Sequence, residues 1–429
     1  MAGTAASYRP LASRRPRSET SSTASGLRSP HPSSSSLTGP TKTTPTTPTP
    51  FSTVTTSSRR RTRTSPCTCR RASPPTSRNR LSPCCATSTS SSTRSRDHLM
   101  PRFRTIDAAF LGMLARLFAD GETVNSRNGA TTELAAQTLT IERPTERFLH
   151  TPGRNNNPFA AIAETMWVLA GHNDLAYLTP YLKRAPDYSD DGGTTWRAGY
   201  GPRLRNWNGV DQIAQARSLL HASPNSRRAV MSLFDPERDF QNSADVPCNN
   251  WLHFLVRNGH LDLNVVARST DIWFGFSAIN AFEWSVLLEM MARWLQLEVG
   301  TLTFFTSSLH LYAQHEDRAR ELLSRASDTS EYIGKSTFEY DTDWEDAVTA
   351  HEQWMDLEHR LRAGADLDNL TLPFRDPMLV AYIRAIDIFW AFKRGATLEE
   401  LEPRLASLGD SDLTFAAREF VSRPRARDH

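Results

Sequence analysis

The fold is decided by residues 246–271, which read VPCNNWLHFLVRNGHLDLNVVARSTD. Residues 251–257 and 261–268 are short runs rich in apolar and aromatic residues, and the second run begins with alternating apolar and polar residues, as is typical of strands. The Asn258-Gly259 pair between the two runs favours a two-residue hairpin turn. The stretch therefore predicts a pair of antiparallel strands in a sheet.

A lone thiol precedes this hairpin. Cys248 is the only cysteine after residue 100, because the other four lie in the N-terminal segment. Arg268 follows it in the sequence, and the Arg227-Arg228 pair precedes it. A guanidinium stabilises a thiolate, which is the reactive form of cysteine. A lone cysteine is more often a small buried apolar residue, but these arginines favour a nucleophile beside an anion-binding site.

Periodic segments on both sides of the hairpin complete the domain. Spacings of three and four predict helices and alternation predicts strands. The Gly-, Asp- and Pro-rich residues 184–202 predict a loop. The pattern as a whole predicts an α+β fold, a sheet covered by helices in one domain. The predicted helices are 103–119, 158–170, 281–296, 316–325, 344–362, 377–393 and 397–407, and the further strands are 134–141, 229–234 and 301–312.

The N-terminal segment, residues 1–99, has a different composition from the rest of the chain. It holds 16 of the 50 Lys and Arg residues but only 2 of the 47 Asp and Glu residues, and it repeats Ser, Thr and Pro. Such a segment cannot bury enough apolar surface to offset its ordering entropy, so we expect it to be disordered. The overall charge of +3 averages two unlike segments and does not indicate a specific nucleic-acid partner.

Three interpretations of this leader remain open. Met100 opens a plausible chain where the composition changes, which indicates a mis-assigned start codon; a flexible arm and a targeting peptide are the alternatives. The sequence contains no run of about 18 apolar residues, so it predicts no membrane span. One cysteine in residues 100–429 excludes a disulfide scaffold and is typical of a reducing cytoplasm.

Eight short motifs, in order along the chain, resemble those of the thymidylate synthase and pyrimidine nucleotide hydroxymethylase family. Each motif is weak by itself, but their order and compatible spacing are specific. The resemblance implies a thymidylate synthase-like mixed sheet covered by helices in 100–429, with a divergent helical region from about 316. The motifs are NSRNGAT at 125–131, AETMWVLAGHNDLAYL at 163–178, YG at 200–201, NSRR at 225–228, PC at 247–248, RSTD at 268–271, Asn280 and HLY at 310–312.

The resemblance implies a catalytic group made of Cys248, Glu164, Arg268 and Asp271. Addition of the Cys248 thiolate to C6 of a pyrimidine makes C5 nucleophilic towards a one-carbon electrophile. Arg268 is expected to lower the thiol pKa and share the substrate phosphate. Glu164, on an apolar helix beside Met166, is expected to be a desolvated acid that moves protons, where the ordinary alternative is an exposed helix glutamate.

The resemblance also implies a set of substrate-binding residues for a pyrimidine nucleoside monophosphate. The arginines suit phosphate oxygens, and two of them, Arg227 and Arg228, are expected to reach the site of the partner subunit in a homodimer. His310 and Tyr312 alternate with leucines on one strand and so share a face; half-buried strand polar residues are the alternative. The set is Arg127, Arg227, Arg228, Ser269, Asn280, His310 and Tyr312.

The implied cofactor is 5,10-methylenetetrahydrofolate, with no metal, and two outcomes remain open. A hydride would give a methyl group and thus a thymidylate synthase, whereas water would give a hydroxymethyl group. Asn249 stands where the synthase has His, a polar segment replaces the Trp-rich stretch before Tyr200, and the family's Tyr-x-Pro-His-Pro segment and apolar tail are missing. A wetter site favours water, so the better prediction is a nucleotide 5-hydroxymethylase.

The identity of the base depends on one position. Asn280 can donate and accept at once and therefore indicates uracil, where cytosine-specific relatives typically carry Asp. Asn280 lies one residue further from Asp271 than expected, so that Ile279 takes the position if no insertion is allowed. The sequence does not distinguish ribose from deoxyribose. A catalytically silent relative that binds nucleotide or RNA through its arginines is a third possibility, which Cys248 argues against.

Overall fold

The computed structural model describes residues 100–243, 245–326 and 335–423. The leader 1–99 lies outside the described residues, so the interpretations of it stay predictions. Within the described residues the sheet contains β1 (Arg102–Phe103), β2 (Glu122–Ser126), β3 (Gly129–Ile141), β4 (Val230–Ser232), β5 (Asn249–Arg257), β6 (His260–Ala267), β7 (Thr270–Asp271) and β8 (Glu298–Tyr312).

The helices of the described residues form the rest of the domain. None of them is long and apolar enough to cross a membrane. They are α1 (Ile106–Asp120), α2 (Pro158–Leu169), α3 (Leu175–Leu178), α4 (Tyr200–Arg205), α5 (Gln212–Ala222), α6 (Pro236–Asp239), α7 (Ala281–Leu295), α8 (Glu316–Arg325), α9 (Trp344–Arg362), α10 (Pro377–Lys393), α11 (Leu398–Ala406) and α12 (Asp412–Val421).

The α+β prediction is confirmed by a mixed sheet with the order β1-β3-β8-β6-β5-β4. β8 lies at its centre, antiparallel to β3 and parallel to β6. β2 extends the sheet by pairing with β3, and the short β7 pairs with the end of β8. The central strands are longer than the alternation predicts, since β3 begins at Gly129 and β8 at Glu298.

The β5–β6 hairpin forms as its sequence predicts. Asn258 and Gly259 both have positive φ, 52° and 79°, which a two-residue turn of this hand requires. The turn fixes the register, and a bulge between Asn249 and Trp251 ends the regular pairing. The backbone N–H of Arg268 then donates to the carbonyl of Cys248 at 2.9 Å. The hairpin thus sets these two residues side by side.

The helix α2 is buried along its whole length. It packs against α7, which in turn packs against β6 and β8. On its other side α2 contacts α9, α10 and α12. Any polar side chain of α2 therefore points into the interior of the domain, away from bulk water.

The C-terminal helices belong to the same hydrophobic core as the sheet. Phe159 of α2 packs against Phe389 of α10 and Phe420 of α12, with ring centroids 5.5 and 5.2 Å apart. Their helical nature is predicted correctly for α8, α9 and α10, whose bounds match the expected ranges. These helices cover the back of α2, a position that periodicity alone does not reveal.

Several short elements have no clear sequence signal. The helices α5 and α12 lie outside the predicted helices, and the predicted loop 184–202 contains a 3₁₀ turn, Ala185–Tyr188, and the start of α4. The most informative of them is a π-helix, Ile272–Asn280, which joins β7 to α7. π-helical turns are rare and occur mostly at functional sites.

Candidate active site

The Arg268 guanidinium clamps the segment that carries the thiol. Its Nε donates to the Pro247 carbonyl at 2.9 Å and its Nη2 donates to the Val246 carbonyl at 2.8 Å. The same Nη2 lies 3.8 Å from Cys248 Sγ. The planar fork of arginine suits this three-point contact. The positive charge is therefore held beside the thiol by two backbone carbonyls.

Cys248 is exposed to solvent on one side, whereas protein atoms crowd its other sides. Burial raises the pKa of the Cys248 thiol, and Arg268 opposes this rise. The carboxylates of Asp245 and Asp271 raise the thiol pKa further. The expected effect of Arg268 is therefore present, but it does not prevail: the net shift is upward, so the structure favours the protonated thiol.

Asp271 has a structural task that the sequence does not indicate. Its two carboxylate oxygens accept from the backbone N–H groups of Trp273 and Phe274, at 2.9 and 3.3 Å, and so cap the π-helix. Burial raises the Asp271 pKa, while the capping bonds and His310 lower it. Asp271 pairs with His310 in the β7–β8 register. The Asp271 carboxylate thus fixes the start of the π-helix, which connects β7 to α7.

His310 and Tyr312 lie on the same face of β8, as their alternation predicts. Their rings meet edge to face, with centroids 5.2 Å apart. His310 is buried, and its Nδ1 lies 3.3 Å from the hydroxyl of Ser308. Ser269 is half-buried in the link between β6 and β7. The histidine and tyrosine are thus held at the edge of the sheet where Asp271 lies.

The arginines expected to bind phosphate do not all meet at Cys248. Arg127 lies in the β2–β3 turn and donates to the carbonyl of Ser243, at 3.1 Å, in the segment that leads to the thiol. Arg227 and Arg228 are exposed and precede β4. Ala229, next to them, bonds with Phe254, which lies six residues along β5 from Cys248. That separation is about 20 Å at strand spacing, so this pair lies far from the thiol of its own chain.

Glu164 is buried in the middle of α2, 8% exposed. Its Oε2 has no hydrogen-bond partner among the described residues. Burial raises the pKa of Glu164 well above its ordinary value because the charged form loses its hydration. The structure thus provides a desolvated acid, as the apolar helix face around this residue predicts.

The π-helix explains the spacing between Asp271 and Asn280. The N–H of Ala281 bonds to the carbonyl of Phe276, five residues earlier, so this turn holds one more residue than an α-helical turn does. The π-helical turn accommodates this additional residue, and the regular helix α7 begins directly after it, at Ala281. Ile279 packs against the core, whereas the Asn280 side chain lies near Gly275 and Glu283.

Tyr200 contacts Asn249, the residue after Cys248, and lies near Glu283. Its hydroxyl accepts from the backbone N–H of Asn249 at 3.2 Å and from the Asn249 side-chain amide at 2.8 Å. Burial raises the Tyr200 pKa, and the charges of Cys248 and Glu283 raise it further. The YG motif marks Tyr200, but only the fold shows that it contacts the residue after the nucleophile.

The loop before α4 is tied to the same edge. Tyr188 and Trp196 stack with their rings 10° apart in plane and 6.2 Å between centroids. The indole N–H of Trp196 donates to the Asp245 carboxylate at 2.8 Å. The Arg197 guanidinium donates to the backbone carbonyl of Asp245. Asp245 and Trp196 thus anchor the approach to Cys248, and neither contact has a signal in the sequence.

Comparison with known proteins agrees with this fold. The family model described as thymidylate synthase matches residues 108–343, so this chain belongs to the thymidylate synthase family. Deoxyuridylate hydroxymethyltransferase of Bacillus phage SP01 is 36% identical over 215 residues, 47% of this chain and 56% of that protein. The enzyme of the same name from Delftia phage PhiW-14 is 33% identical over 230 residues, 51% of this chain and 63% of that protein.

A relative with a different name matches a shorter part of the chain. Thymidylate synthase of Enterobacteria phage T4 is 31% identical over 182 residues, 39% of this chain and 63% of that protein. The chain thus spans less than two thirds of the length of each of these relatives. They place the chain in a family whose members carry two different activity names.

Proposed function

We propose that this protein is a pyrimidine nucleotide one-carbon transferase that adds a hydroxymethyl group to C5 of deoxyuridylate. The observation that carries the proposal is the contact of Arg268 Nη2 with Cys248 Sγ at 3.8 Å, on a segment that two further Arg268 bonds hold in place. A thiol so held, open on one side and facing a cation, suits attack on a substrate that brings its own negative charge.

The first step is the addition of Cys248 to C6 of the base. The thiol must lose its proton, and its raised pKa opposes that loss in the unliganded protein. Arg268 stabilises the thiolate, and a base bound over the exposed side completes its desolvation. Sulfur forms a bond to C6, and the electron pair of the C5–C6 double bond moves towards C5 and O4, which makes C5 the nucleophile.

Asn280 is the residue we propose to read the base. Its amide can accept from N3–H and donate to O4 of uracil. It lies at the end of the π-helix, near Glu283, whereas the competing Ile279 packs into the core. We propose that His310 and Tyr312 hold the sugar, and that Arg127, Arg268 and Ser269 hold the phosphate together with the arginines of a partner subunit.

Glu164 is proposed to move the protons that the reaction displaces. Substitution at C5 releases the C5 proton, and the exocyclic oxygen gains electron density that a nearby acid can stabilise. Glu164 lies in a desolvated position, which raises its pKa towards the range where it can both give and take a proton near neutral pH. Its buried, unpartnered Oε2 is the atom available for this transfer.

The described residues fit a folate that carries the one-carbon unit. A pterin ring needs apolar aromatic faces near the base, and the structure offers Phe274, 55% exposed, and the stacked pair of Tyr188 and Trp196. The backbone N–H of Phe274 donates to the capping carboxylate of Asp271 at 3.3 Å. We propose that Phe274 and Trp196 hold 5,10-methylenetetrahydrofolate, which supplies the carbon at the oxidation level of formaldehyde.

Two observations support hydroxymethylation over methylation. Relatives named deoxyuridylate hydroxymethyltransferase are 36% and 33% identical to this chain over about half its length. Around the site, the loop before α4 is polar, and Asn249, which stands where the synthase has His, is bonded to the Tyr200 hydroxyl. Water in the site would complete a net addition of CH2O to the nucleotide. Thymidylate synthase activity is the alternative, because the phage T4 relative carries that name.

Product mass distinguishes these activities in one experiment. The full chain is incubated with 5,10-methylenetetrahydrofolate and each of dUMP, dCMP, UMP and CMP. We expect dUMP alone to gain CH2O, with tetrahydrofolate released. A gain of CH2 with dihydrofolate released would make the protein a thymidylate synthase, and absence of any product would favour a silent nucleotide-binding relative. Cys248→Ala is the matched control and should give no product.

A homodimer is the proposed assembly. Arg227 and Arg228 lie about 20 Å along β5 from the thiol of their own chain, so a second subunit is the natural destination for them. In a two-fold dimer each subunit would lend this pair to the other. Mixing the inactive variants Cys248→Ala and Arg228→Ala should then restore up to about a quarter of the activity, since random pairing gives half mixed dimers with one intact site each. An active monomer in light scattering would contradict the proposal.

A further inference from the structure

A second glutamate lies beside the proposed proton carrier. Glu283, in the first turn of α7, is 0% exposed. Neither of its carboxylate oxygens has a hydrogen-bond partner among the described residues, and the same holds for Oε2 of Glu164. The helices that carry them, α2 and α7, pack against each other. Two buried acids with unpartnered oxygens therefore share one region of the interior.

This arrangement is costly unless a proton is shared. An isolated buried carboxylate loses its hydration and gains nothing in return. Two neighbouring carboxyls cannot both ionise, because the first charge raises the pKa of the second. Burial and the charge of Glu164 both raise the pKa of Glu283 well above its ordinary value. At neutral pH the pair is therefore expected to hold at least one proton.

The groups that face Glu283 come from three elements. Glu164 faces it from α2, and Tyr200 faces it from α4, where the Glu283 charge raises the tyrosine pKa. Asn280, three residues earlier, approaches from the same helical face and opposes the rise, although without full hydrogen-bond geometry. The charge of Glu164 and the side chain of Asn280 are the neighbouring groups that act on the Glu283 pKa in the described part of the chain.

We propose that Glu283 is a positioning residue that forms one paired acid with Glu164, in which the two carboxyls share a single proton. Glu283 does not touch the substrate; it acts through Glu164 and beside Asn280. When the C5 proton leaves, the pair takes it up and becomes doubly protonated, and it returns this proton to solvent as product leaves. This inference rests on the proposed function only in assigning proton transfer to Glu164.

Infrared difference spectroscopy tests the pair without relying on activity. The carboxyl C=O band is followed through a pH titration of the full chain and of Glu283→Gln, Glu164→Gln and Glu289→Gln. The wild-type pair should lose its two protons in separate steps, and each of the first two variants should show a single step about one unit or more below the upper one, because the like charge is removed. Coupling is reciprocal, so the two shifts should agree. Unchanged titration of Glu164 in Glu283→Gln would overturn the pair.

Glu289→Gln is the matched control, since Glu289 is a buried glutamate on the same helix but forms an ion pair with Arg147 and accepts from the Tyr340 N–H at 2.9 Å. Its loss should lower the melting temperature and leave the site titration in place. If Glu283→Gln does not fold, the shift of Glu283 in Glu164→Gln decides the question alone. A shift in the control equal to that in Glu283→Gln would also overturn the inference.

Exchange of C5 hydrogen with solvent gives the functional readout. Thiol addition to C6 makes C5–H exchangeable, so tritium release from labelled dUMP reports the proton carrier. In Glu283→Gln the pH profile should shift to higher pH by about one unit, because a lone Glu164 carboxylate lacks the shared proton that stabilises the ionised pair. Nucleotide affinity should stay within about threefold, and Glu283→Asp should restore part of the profile. A changed affinity with an unmoved profile would overturn the pair. Wild-type protein without Cys248-dependent exchange would instead overturn the proposed function, and the infrared titration would still decide the pair.

Discussion

The two sides of the proposed site are built in opposite ways. On the strand side, Arg268 satisfies its donors with two backbone carbonyls and still faces Cys248 at 3.8 Å. On the helix side, Glu164 and Glu283 are buried with unpartnered oxygens. The first side is a conventional hydrogen-bonded frame, and the second is a place where polar groups lack partners.

This difference separates positioning from proton chemistry. The sheet fixes the thiol through backbone hydrogen bonds that hold whatever the protonation state. The helices hold their acids in a low-polarity interior, where protonation controls the free energy strongly. Function therefore costs stability mainly on the helix side, as is common where active sites violate the rules of a well-packed core.

The largest expected effect is the loss of activity when the thiol on the strand side is removed. Cys248→Ala should lower C5 hydrogen exchange by at least about 10³-fold, because no other thiol exists in the described residues to form the covalent bond. Nucleotide affinity, measured by calorimetry, should stay within about threefold. Full activity in this variant would exclude a covalent mechanism through Cys248. Cys248→Ser, a weaker nucleophile of similar size, is the control for packing.

A smaller change tests the charge beside the thiol. Arg268→Ala should raise the pKa of Cys248, because it removes the guanidinium that lowers this pKa. Alkylation of Cys248 by iodoacetamide at pH 7, followed by peptide mass, should slow about tenfold per pKa unit. Arg268→Lys keeps the charge but loses the bidentate clamp on Val246 and Pro247. A rate for the lysine variant near that of wild type would assign the effect to charge. Equal slowing in both would assign it to the clamp.

A stability measurement tests whether Glu164, on the helix side, titrates as a buried acid. The folded pKa of Glu164 lies above its unfolded value, so the folded state binds the proton more tightly and stability falls as pH rises from about 4.5 through the folded pKa. Glu164→Gln removes this loss. Between pH 5 and 8, urea unfolding of wild type should lose at least about 1.4 kcal/mol more than the variant does, one pKa unit's worth. Parallel pH dependences would show that Glu164 is ordinary in its titration.

The smallest expected effect on activity concerns Tyr200, which links the two sides. Tyr200→Phe leaves two donors of buried Asn249 without their acceptor, which should cost about 1–2 kcal/mol in unfolding free energy. Exchange activity should fall only a few fold, since neither residue is proposed to react. The double variant with Asn249→Ala should lose less than the sum of the single losses. Strict additivity would mean that the two side chains act independently.

Much of the framework follows from the sequence because its signals are local. The β5–β6 hairpin, α9 and α10 are predicted by period and turn chemistry alone. The spacing from Asp271 to Asn280, one residue longer than the resemblance implies, coincides with the π-helix. The contacts of Asp245 are not predictable this way, since they join segments nearly 50 residues apart in the sequence.

Glu283 shows why the site itself is only partly predictable. An acid in the first turn of a helix ordinarily indicates a solvent-exposed residue that favours the helix dipole. Here α2 lies against that turn, and the acid is fully buried. Likewise the separation of Arg227 and Arg228 from Cys248 depends on the strand register, which places the residue after them, Ala229, beside Phe254 of β5 and not beside Cys248.

The sequence by itself determined the alternation of strands and helices, the family, and which side chains can carry chemistry, because period and residue type are local properties. Only the tertiary structure decided which groups meet and in what state. It set Arg268 beside Cys248 while burial kept the thiol pKa high, and it paired Glu164 with Glu283 by packing α2 on α7. Hydration and charge coupling depend on everything within a few ångströms, and those neighbours come from distant parts of the chain.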